Sequence, residues 1–249
     1  MSRIVKKTNY FYIDESGGIN NESNVFIHGC IKTDSPKTIS EALSKLKNEL
    51  LNSIYYDQFI DRIKQEGFHA TENNIDMRAD VYKLIPLLEY RAYFVIINKE
   101  TEYFRKLKAR LEEHEIFALS LRKLILDRII SNRKDKNIFY FEGINISKRP
   151  LSSILKEITK TLDASYDCEF IIVGKEEENL GVIDYLNFIF YQLLSTHNPN
   201  PFPRMKFNFD LVSTKIALIV IKNNNVYLSR KKKQSHQINL VNLMREFGG

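Results

Sequence analysis

Three carboxylates of this 249-residue chain lie in settings that are unusual for surface charges. Asp14 follows the apolar run YFYI, Glu142 follows the apolar run IFYF, and Asp184 falls inside the segment LGVIDYLNFIFYQLL. That segment has apolar residues in nearly every helical direction. An ionised carboxylate without a partner in such surroundings costs several kcal/mol, so Asp184 requires either a neighbouring cation or a raised pKa.

The local pattern around Asp14 predicts that it lies at the tip of a strand. Alternation along the run YFYID points Tyr12 and Asp14 to one face and Phe11 and Ile13 to the other, while the two glycines after Ser16 supply a turn. The alternative interpretation of the letters DESG is a turn-forming acidic pair whose side chains are solvated.

Glu142 and Asp184 also have simpler interpretations. Glu142, in FEGIN, could begin a turn. Asp184 lies within the first two turns of its predicted helix, where the macrodipole stabilises a carboxylate by about 0.3–1 kcal/mol. Each residue alone is weak evidence for a functional site, and the evidence lies in the combination of the three carboxylates.

Strand-like and helix-like segments alternate along the chain and predict an α/β fold, a mixed sheet with helices on both faces. The first two strands form a hairpin, EGFHATEN is a loop, and the C-terminal part is a β extension packed on the preceding domain. The predicted strands are TNYFYID, NVFIHGCIK, RAYFVIIN, NIFYFEG, CEFIIVG, KFNFDLV and TKIALIVIKNNNVYLSR. The predicted helices cover Ile39–Leu50, Asp76–Leu88, Glu100–Ser131, Pro150–Leu162 and Leu180–Leu194.

Positive charge is concentrated near the C-terminus. Residues 201–249 contain nine Lys or Arg and two Asp or Glu, a net +7, which leaves residues 1–200 at −1 of the overall +6. A basic segment on a nearly neutral body suits a polyanion, and we predict nucleic-acid contacts by Arg230, Lys231, Lys232 and Lys233. The alternative is a solvated run that only keeps the protein soluble.

Several functional classes lack support in the sequence. There is no apolar run of about 20 residues and no signal-peptide pattern at the start, so we expect a cytoplasmic protein. The phosphate-binding motifs GxxxxGK[ST] and GxGxxG are absent. Cys30 and Cys168 form no recognisable disulfide or thiolate zinc pattern, and the pair His28 and Cys30 is thin support for a zinc hydrolase.

Three local motifs narrow the interpretation. YIDESG at Tyr12–Gly17, FHATEN at Phe68–Asn73 and GVIDYLNF at Gly181–Phe188 resemble landmarks of the domain of unknown function 3800 family. Members of that family are predicted ribonuclease H-like proteins, frequently associated with bacterial mobile elements and antiviral defence. The resemblance spans residues 10–194 and does not explain the basic segment after Arg204.

This resemblance implies a site in which carboxylates hold two Mg²⁺ or Mn²⁺ ions about 3.5–4 Å apart for phosphodiester hydrolysis. It makes Asp14 and Asp184 metal ligands and Glu15 a supporting or alternate ligand, and it places His69 at the site. Glu142 is the third expected ligand, although Asp is the more usual residue at that strand end.

His69 could shuttle protons or donate a hydrogen bond to a phosphate, although an isolated His in a polar loop is more often a surface residue. Glu72 is a competing ligand candidate.

The sequence therefore predicts a ribonuclease H-like domain over residues 1–200 and a basic C-terminal β extension over residues 201–249. The predicted function is a metal-dependent nuclease acting on DNA or RNA, working alone or with other proteins of a defence system. The alternative is a nucleic-acid-binding or interaction module that has this fold without catalysis.

Overall fold

The structure is a computed structural model that describes residues 6–195 and 203–248. Its strands are β1 (Thr8–Ser16), β2 (Val25–Thr33), β3 (Arg91–Asn98), β4 (Lys136–Glu142), β5 (Asn145–Ile146), β6 (Arg149–Pro150), β7 (Cys168–Val173), β8 (Ile216–Ile221) and β9 (Val226–Ser229). Within the described residues, seven strands form one mixed sheet in the order β7, β4, β1, β2, β3, β8 and β9, and β5 pairs with β6.

Helices cover both faces of this sheet. They are α1 (Pro36–Leu51), α2 (Ile60–Glu66), α3 (Ile75–Leu84), α4 (Glu102–Lys108), α5 (Glu113–Ser131), α6 (Leu151–Thr159), α7 (Glu178–Leu194), α8 (Pro203–Ser213) and α9 (Leu240–Gly248). Short 3₁₀ helices cover Ile54–Phe59, Ile85–Leu87 and Gln234–His236. None of the helices in the described ranges is long and apolar enough to cross a membrane.

The predicted hairpin is confirmed, because β1 and β2 pair antiparallel. Gly17 adopts a φ of +83°, and a side chain there would collide with the Val25 carbonyl oxygen. The Lys99 ammonium group fastens the same turn by donating to the carbonyl oxygens of Gly18 at 2.7 Å and Asn21 at 3.1 Å. The chain reversal that follows the Asp14–Glu15 pair is therefore fixed by backbone geometry and by a lysine from the next strand.

The alternation along β1 divides the interior into two cores. Tyr12 packs in the core that contains α1, α3, α7 and α8, whereas Phe11 and Ile13 pack in the core under α5 and α6. Helix α7 belongs to the first core and is buried on most of its surface. Asp14 consequently points towards α7, as the alternation predicts.

Two predicted elements were wrong. KFNFDLV is part of helix α8, because the buried residues Met205, Asn208, Phe209 and Val212 recur with helical spacing. The alternation of apolar and polar residues in this segment also fits the pattern of a strand. The single helix predicted over Glu100–Ser131 is two helices, and α5 begins with a capping box in which Glu112 and Glu115 bond to each other's backbone.

The C-terminal segment is therefore more than a β extension. It contributes α8 and α9, and β8 joins the main sheet by pairing parallel with β3. The Asn98 side chain donates to the Phe247 carbonyl oxygen at 2.8 Å, which ties α9 to the end of β3. The predicted boundary at residue 200 lies outside the described residues and stays a prediction.

Candidate active site

Two of the predicted carboxylates lie on neighbouring parallel strands, Asp14 two residues before the end of β1 and Glu142 at the end of β4. Ile13 of β1 is paired in register with Phe141 of β4, so Asp14 and Glu142 each follow by one residue. The rings of Tyr12 and Tyr140, which lie two residues before Asp14 and Glu142, are stacked with their centres 4.9 Å apart. Because side chains alternate along a strand, Asp14 and Glu142 lie on the same face as these rings.

Asp184 reaches this edge of the sheet from α7 and also holds the FHATEN loop. Its Oδ2 accepts a hydrogen bond from the Ala70 N–H at 2.6 Å and lies 4.0 Å from Nδ1 of His69. Gly181, one turn earlier on α7, makes this contact feasible, because a Cβ there would press on the Phe68 carbonyl oxygen. Helix α7 therefore positions both a carboxylate and the loop that carries His69.

Asn187 links α7 directly to the strand tip. Its Nδ2 donates to Oδ2 of Asp14 at 3.3 Å. Gly29, the register partner of Asp14 on β2, has no side chain to block this contact, since a Cβ there would collide with the Asn187 side chain. Asn187 was not singled out from the sequence, although it lies within the GVIDYLNF motif.

Asp14, Glu142, Asp184 and His69 line one cleft of about 150 Å³. Its walls carry six carboxylates, namely the three predicted ones and those of Glu176, Glu177 and Glu178, together with His69 and lysines from three separate segments. The lysines are Lys47 of α1, Lys64 of α2 and Lys175, which follows β7. Sequence analysis missed all three, because nothing in a lone lysine indicates which cleft it will line.

Two carboxylates of the cleft, Asp14 and Asp184, have raised pKa values. Burial raises the pKa of Asp14 well above its usual range, and the nearby charges of Glu15 and Asp184 raise it further, against the hydrogen bond from Asn187. Burial also raises the pKa of Asp184, with a smaller contribution from Glu142, while the Ala70 N–H and His69 oppose this shift. Like charges confined together favour a bound cation or a retained proton.

Glu15 points to the other face of the sheet. It lines a very small internal cavity with His28 and Phe117, under α5. Burial raises the pKa of Glu15 to about 7, with the charge of Glu142 contributing next. Glu15 is therefore adjacent to the cleft in sequence but does not line it.

The remaining candidates differ in position. His69 lines the cleft, whereas Glu72 is not among the described residues that line it. The His28 and Cys30 side chains are buried in the protein interior, and Nδ1 of His28 lies 3.0 Å from Oγ of Ser120. The interior position of His28 and Cys30 gives no support to a zinc hydrolase.

The four basic residues Arg230–Lys233 lie far from the cleft. They follow β9, which is four strands from β1, or about 19 Å at the usual strand spacing. They also lie at the opposite end of the strands, where Arg230 neighbours Arg91 and Tyr93 at the start of β3. All four are exposed. The fold does not bring the basic run and the carboxylates together.

The donors in the cleft suit a hard cation, but the carboxylates are not gathered into a finished metal site. Asp14, Glu142 and Asp184 offer oxygen ligands, the type that Mg²⁺ and Mn²⁺ prefer. Across residues 6–195 and 203–248, no three His, Cys, Asp or Glu side chains are grouped closely enough to hold a metal ion as they stand. The residue types fit a divalent ion better than the present separations do.

Comparisons with known proteins give little further information. No protein-family model matches the chain, and no curated protein matches it. One similar solved structure is the complex of PCNA with RNase HII from Archaeoglobus fulgidus. The likeness has 10% sequence identity and a TM-score of 0.43, and it covers 82% of this chain and 78% of that one.

Proposed function

We propose that this protein is a ribonuclease H-like, metal-dependent nuclease that hydrolyses phosphodiester bonds of DNA or RNA. The observation that carries the proposal is the convergence of Asp14, Glu142 and Asp184 in one cleft with three lysines. Carboxylates attract a divalent cation, and lysines attract the phosphates of a polyanion. Their combination suits a reaction centre at which a phosphate must approach an acidic surface.

Asp14, Glu142 and Asp184 are the residues that would hold Mg²⁺ or Mn²⁺. A bound divalent ion would supply an activated water and neutralise charge on the leaving oxygen. The raised pKa of Asp14, which burial causes first and the charges of Glu15 and Asp184 increase, is consistent with this role, because a bound cation stabilises the ionised carboxylate. Asn187 would keep the Asp14 carboxylate oriented towards the cleft.

The other residues of the cleft have complementary tasks. Lys47, Lys64 and Lys175 would bind the non-bridging phosphate oxygens and hold the strand over the carboxylates. His69 would donate a hydrogen bond to a phosphate or carry a proton near neutral pH. Glu15, on the opposite face, would support the strand tip and would not contact the substrate.

The sequence motifs support the same function. YIDESG supplies Asp14, FHATEN supplies His69, and GVIDYLNF supplies both Asp184 and Asn187. The sheet, with the β1–β2 hairpin extended by β3 on one side and by the parallel strands β4 and β7 on the other, is compatible with a ribonuclease H-like fold. Other proteins of a defence system are the protein partners that the family resemblance suggests.

The test is a substrate panel with the purified full chain. Labelled single-stranded and duplex forms of DNA and RNA, all of one sequence, are incubated with Mg²⁺, with Mn²⁺ or with EDTA. We expect metal-dependent cleavage of at least one substrate and no cleavage in EDTA. Binding without cleavage under every condition would instead indicate the non-catalytic nucleic-acid-binding function.

A further inference from the structure

A second concave surface begins where the acidic cleft ends. From Gly181 to its C-terminus, α7 is buried except for Gly181, Asp184, Phe188, Tyr191 and Gln192. These positions recur at helical spacing, so they form one stripe along the helix. The stripe leaves the cleft at Asp184 and continues to Phe188, about 6 Å further along the axis.

Beyond Asp184, the stripe forms one wall of a groove of about 530 Å³ between α3, α7 and α8. We call this surface the α7 groove. The described residues that line it are Ile75, Arg78, Ala79, Tyr82, Phe188, Gln192, Pro203, Arg204 and Met205. It is more than three times the volume of the cleft and has no Asp or Glu among these residues.

The groove combines the partly exposed Phe188 ring with two guanidinium groups, one of which, that of Arg78, lies over the ring and forms a second planar layer for stacking. Arg78 lies 5.1 Å from the centre of the Phe188 ring, and its Nη1 donates to the Ala70 carbonyl oxygen at 3.1 Å. The same Ala70 residue donates its N–H to Asp184. One peptide segment therefore connects the groove to the cleft. Arg204, at the start of α8, is exposed at the other side of the groove.

We propose that the α7 groove binds an unstacked nucleobase of a single strand whose phosphate lies in the cleft. This deepens the proposed function and rests on it for the position of the phosphate. Aromatic faces stack with any base, and arginine adds a cation–π contribution and phosphate contacts. The two arginines complement the charge of the strand, and the 6 Å step along α7 is within the span of one extended nucleotide.

The groove therefore favours single-stranded substrate, or duplex ends that can open. A base inside a duplex is stacked on its neighbours and is not free to lie on Phe188. Gln192, with both a donor and an acceptor, is the residue of the groove best suited to contact a base edge.

The experiment compares an oligothymidylate of about eight nucleotides with an abasic strand of the same length. Binding is measured by fluorescence anisotropy in EDTA, so that the strands stay intact. Wild-type protein should bind the strand with bases about tenfold more tightly, and Phe188→Leu should bring this ratio close to one. Because no cleavage is involved, this ratio is independent of whether the chain is a nuclease.

Two further variants separate stacking from a loss of folding. Phe207→Leu removes an exposed ring of α8 that does not line the groove, and it should leave the ratio unchanged. Ala79→Leu fills the groove from a partly exposed position and should lower the ratio as Phe188→Leu does. The proposal is overturned if wild-type protein binds both strands equally, or if Phe188→Leu and Ala79→Leu keep the wild-type ratio.

Discussion

The two ends of the central sheet carry their charge in different ways. At the cleft end, six carboxylates and three lysines from several segments of the chain line one cavity. At the other end, the basic run Arg230–Lys233 is continuous in sequence and exposed to solvent. The run is conspicuous in the sequence, whereas the cleft exists only after folding. Charge density along the chain is therefore a poor guide to where charged groups can act together on one substrate.

The largest effect that we expect is from Asp14→Asn at the cleft end. The side chain keeps its shape but loses the charge that would bind a cation, so metal-dependent cleavage should fall by at least about 100-fold. Asp135→Asn is the matched control, because Asp135 lies near the start of β4, at the other end of the sheet, and accepts a hydrogen bond from Asn9 at 3.1 Å. Equal cleavage rates for Asp14→Asn and wild type would contradict the assignment of Asp14.

The next prediction compares the lysines of the two ends. Changing Lys47, Lys64 and Lys175 together to Gln should lower the log–log salt slope of oligonucleotide binding by about 2. The same change at Arg230–Lys233 should leave the slope for a short oligonucleotide unchanged, because such a strand does not reach both ends. If the basic run carries the larger slope, the nucleic-acid surface lies at its end of the sheet.

Substitution is required for this comparison, because trimming the chain before Arg230 would also remove α9. Leu243 and Phe247 of that helix are buried, and Phe247 accepts a hydrogen bond from Asn98. A truncated protein would lose part of its core. Its weaker binding would therefore carry no information about the basic run.

A third prediction concerns the repulsion inside the cleft. Asp184→Asn should raise the melting temperature of the metal-free protein by a few degrees, because it removes one of several crowded charges and still accepts the Ala70 N–H. The same variant should lose the stabilisation of about 2.7 kcal/mol that wild type gains at a metal concentration of 100 Kd.

Asp127→Asn on α5 is the control for Asp184→Asn. The two carboxylates have the same side-chain exposure, but Asp127 pairs with Lys123 at 2.9 Å. The control should keep the full metal-induced shift. Melting curves in EDTA and in Mn²⁺ check both variants, and a full metal shift in Asp184→Asn would mean that Asp184 only complements the dipole of its helix.

Much of the fold could be predicted from the sequence because its strongest signals are local. The alternation around Asp14 predicted its face, although β1 continues for two residues beyond Asp14 to Ser16. The apolar surroundings of Asp184 predicted either a neighbouring cation or a raised pKa, and its pKa is raised. The segment KFNFDLV was wrongly predicted as a strand, because a short alternating run fits the strand period of 2 residues and the helix period of about 3.6 residues equally well. Its assignment to a helix is decided by burial against the core.

The site was only partly predictable because much of it depends on contacts between distant segments. Asp14 and Asn187 are 173 residues apart, and their contact depends on the missing side chain of Gly29. The three lysines come from three elements with no shared pattern. Glu15 was expected beside Asp14, but alternation along the strand directs it to the opposite face, as the same rule applied one residue later would have indicated.

The last prediction extends the comparison to the two faces of the sheet at the cleft end. Opposite the cleft, the His28 side chain is 1% exposed and lies among Phe26, Phe117 and Ser120. His28 is on β2 and is paired in register with Glu15 of β1. Burial lowers the pKa of His28 to about 3, against 6.5 in an unfolded chain. Between these pH values the unfolded state binds more protons, so the contribution of His28 to stability is present above pH 6.5 and is lost as the pH falls towards 3, by about 1.4 kcal/mol per unit.

In EDTA, His28→Gln should therefore lose less stability than wild type between pH 6.5 and 4.5, whereas Ser120→Ala, which retains the buried imidazole, should keep the wild-type slope. Denaturant titrations at several pH values measure these slopes, and parallel curves for wild type and His28→Gln would show that this face does not hold His28 neutral.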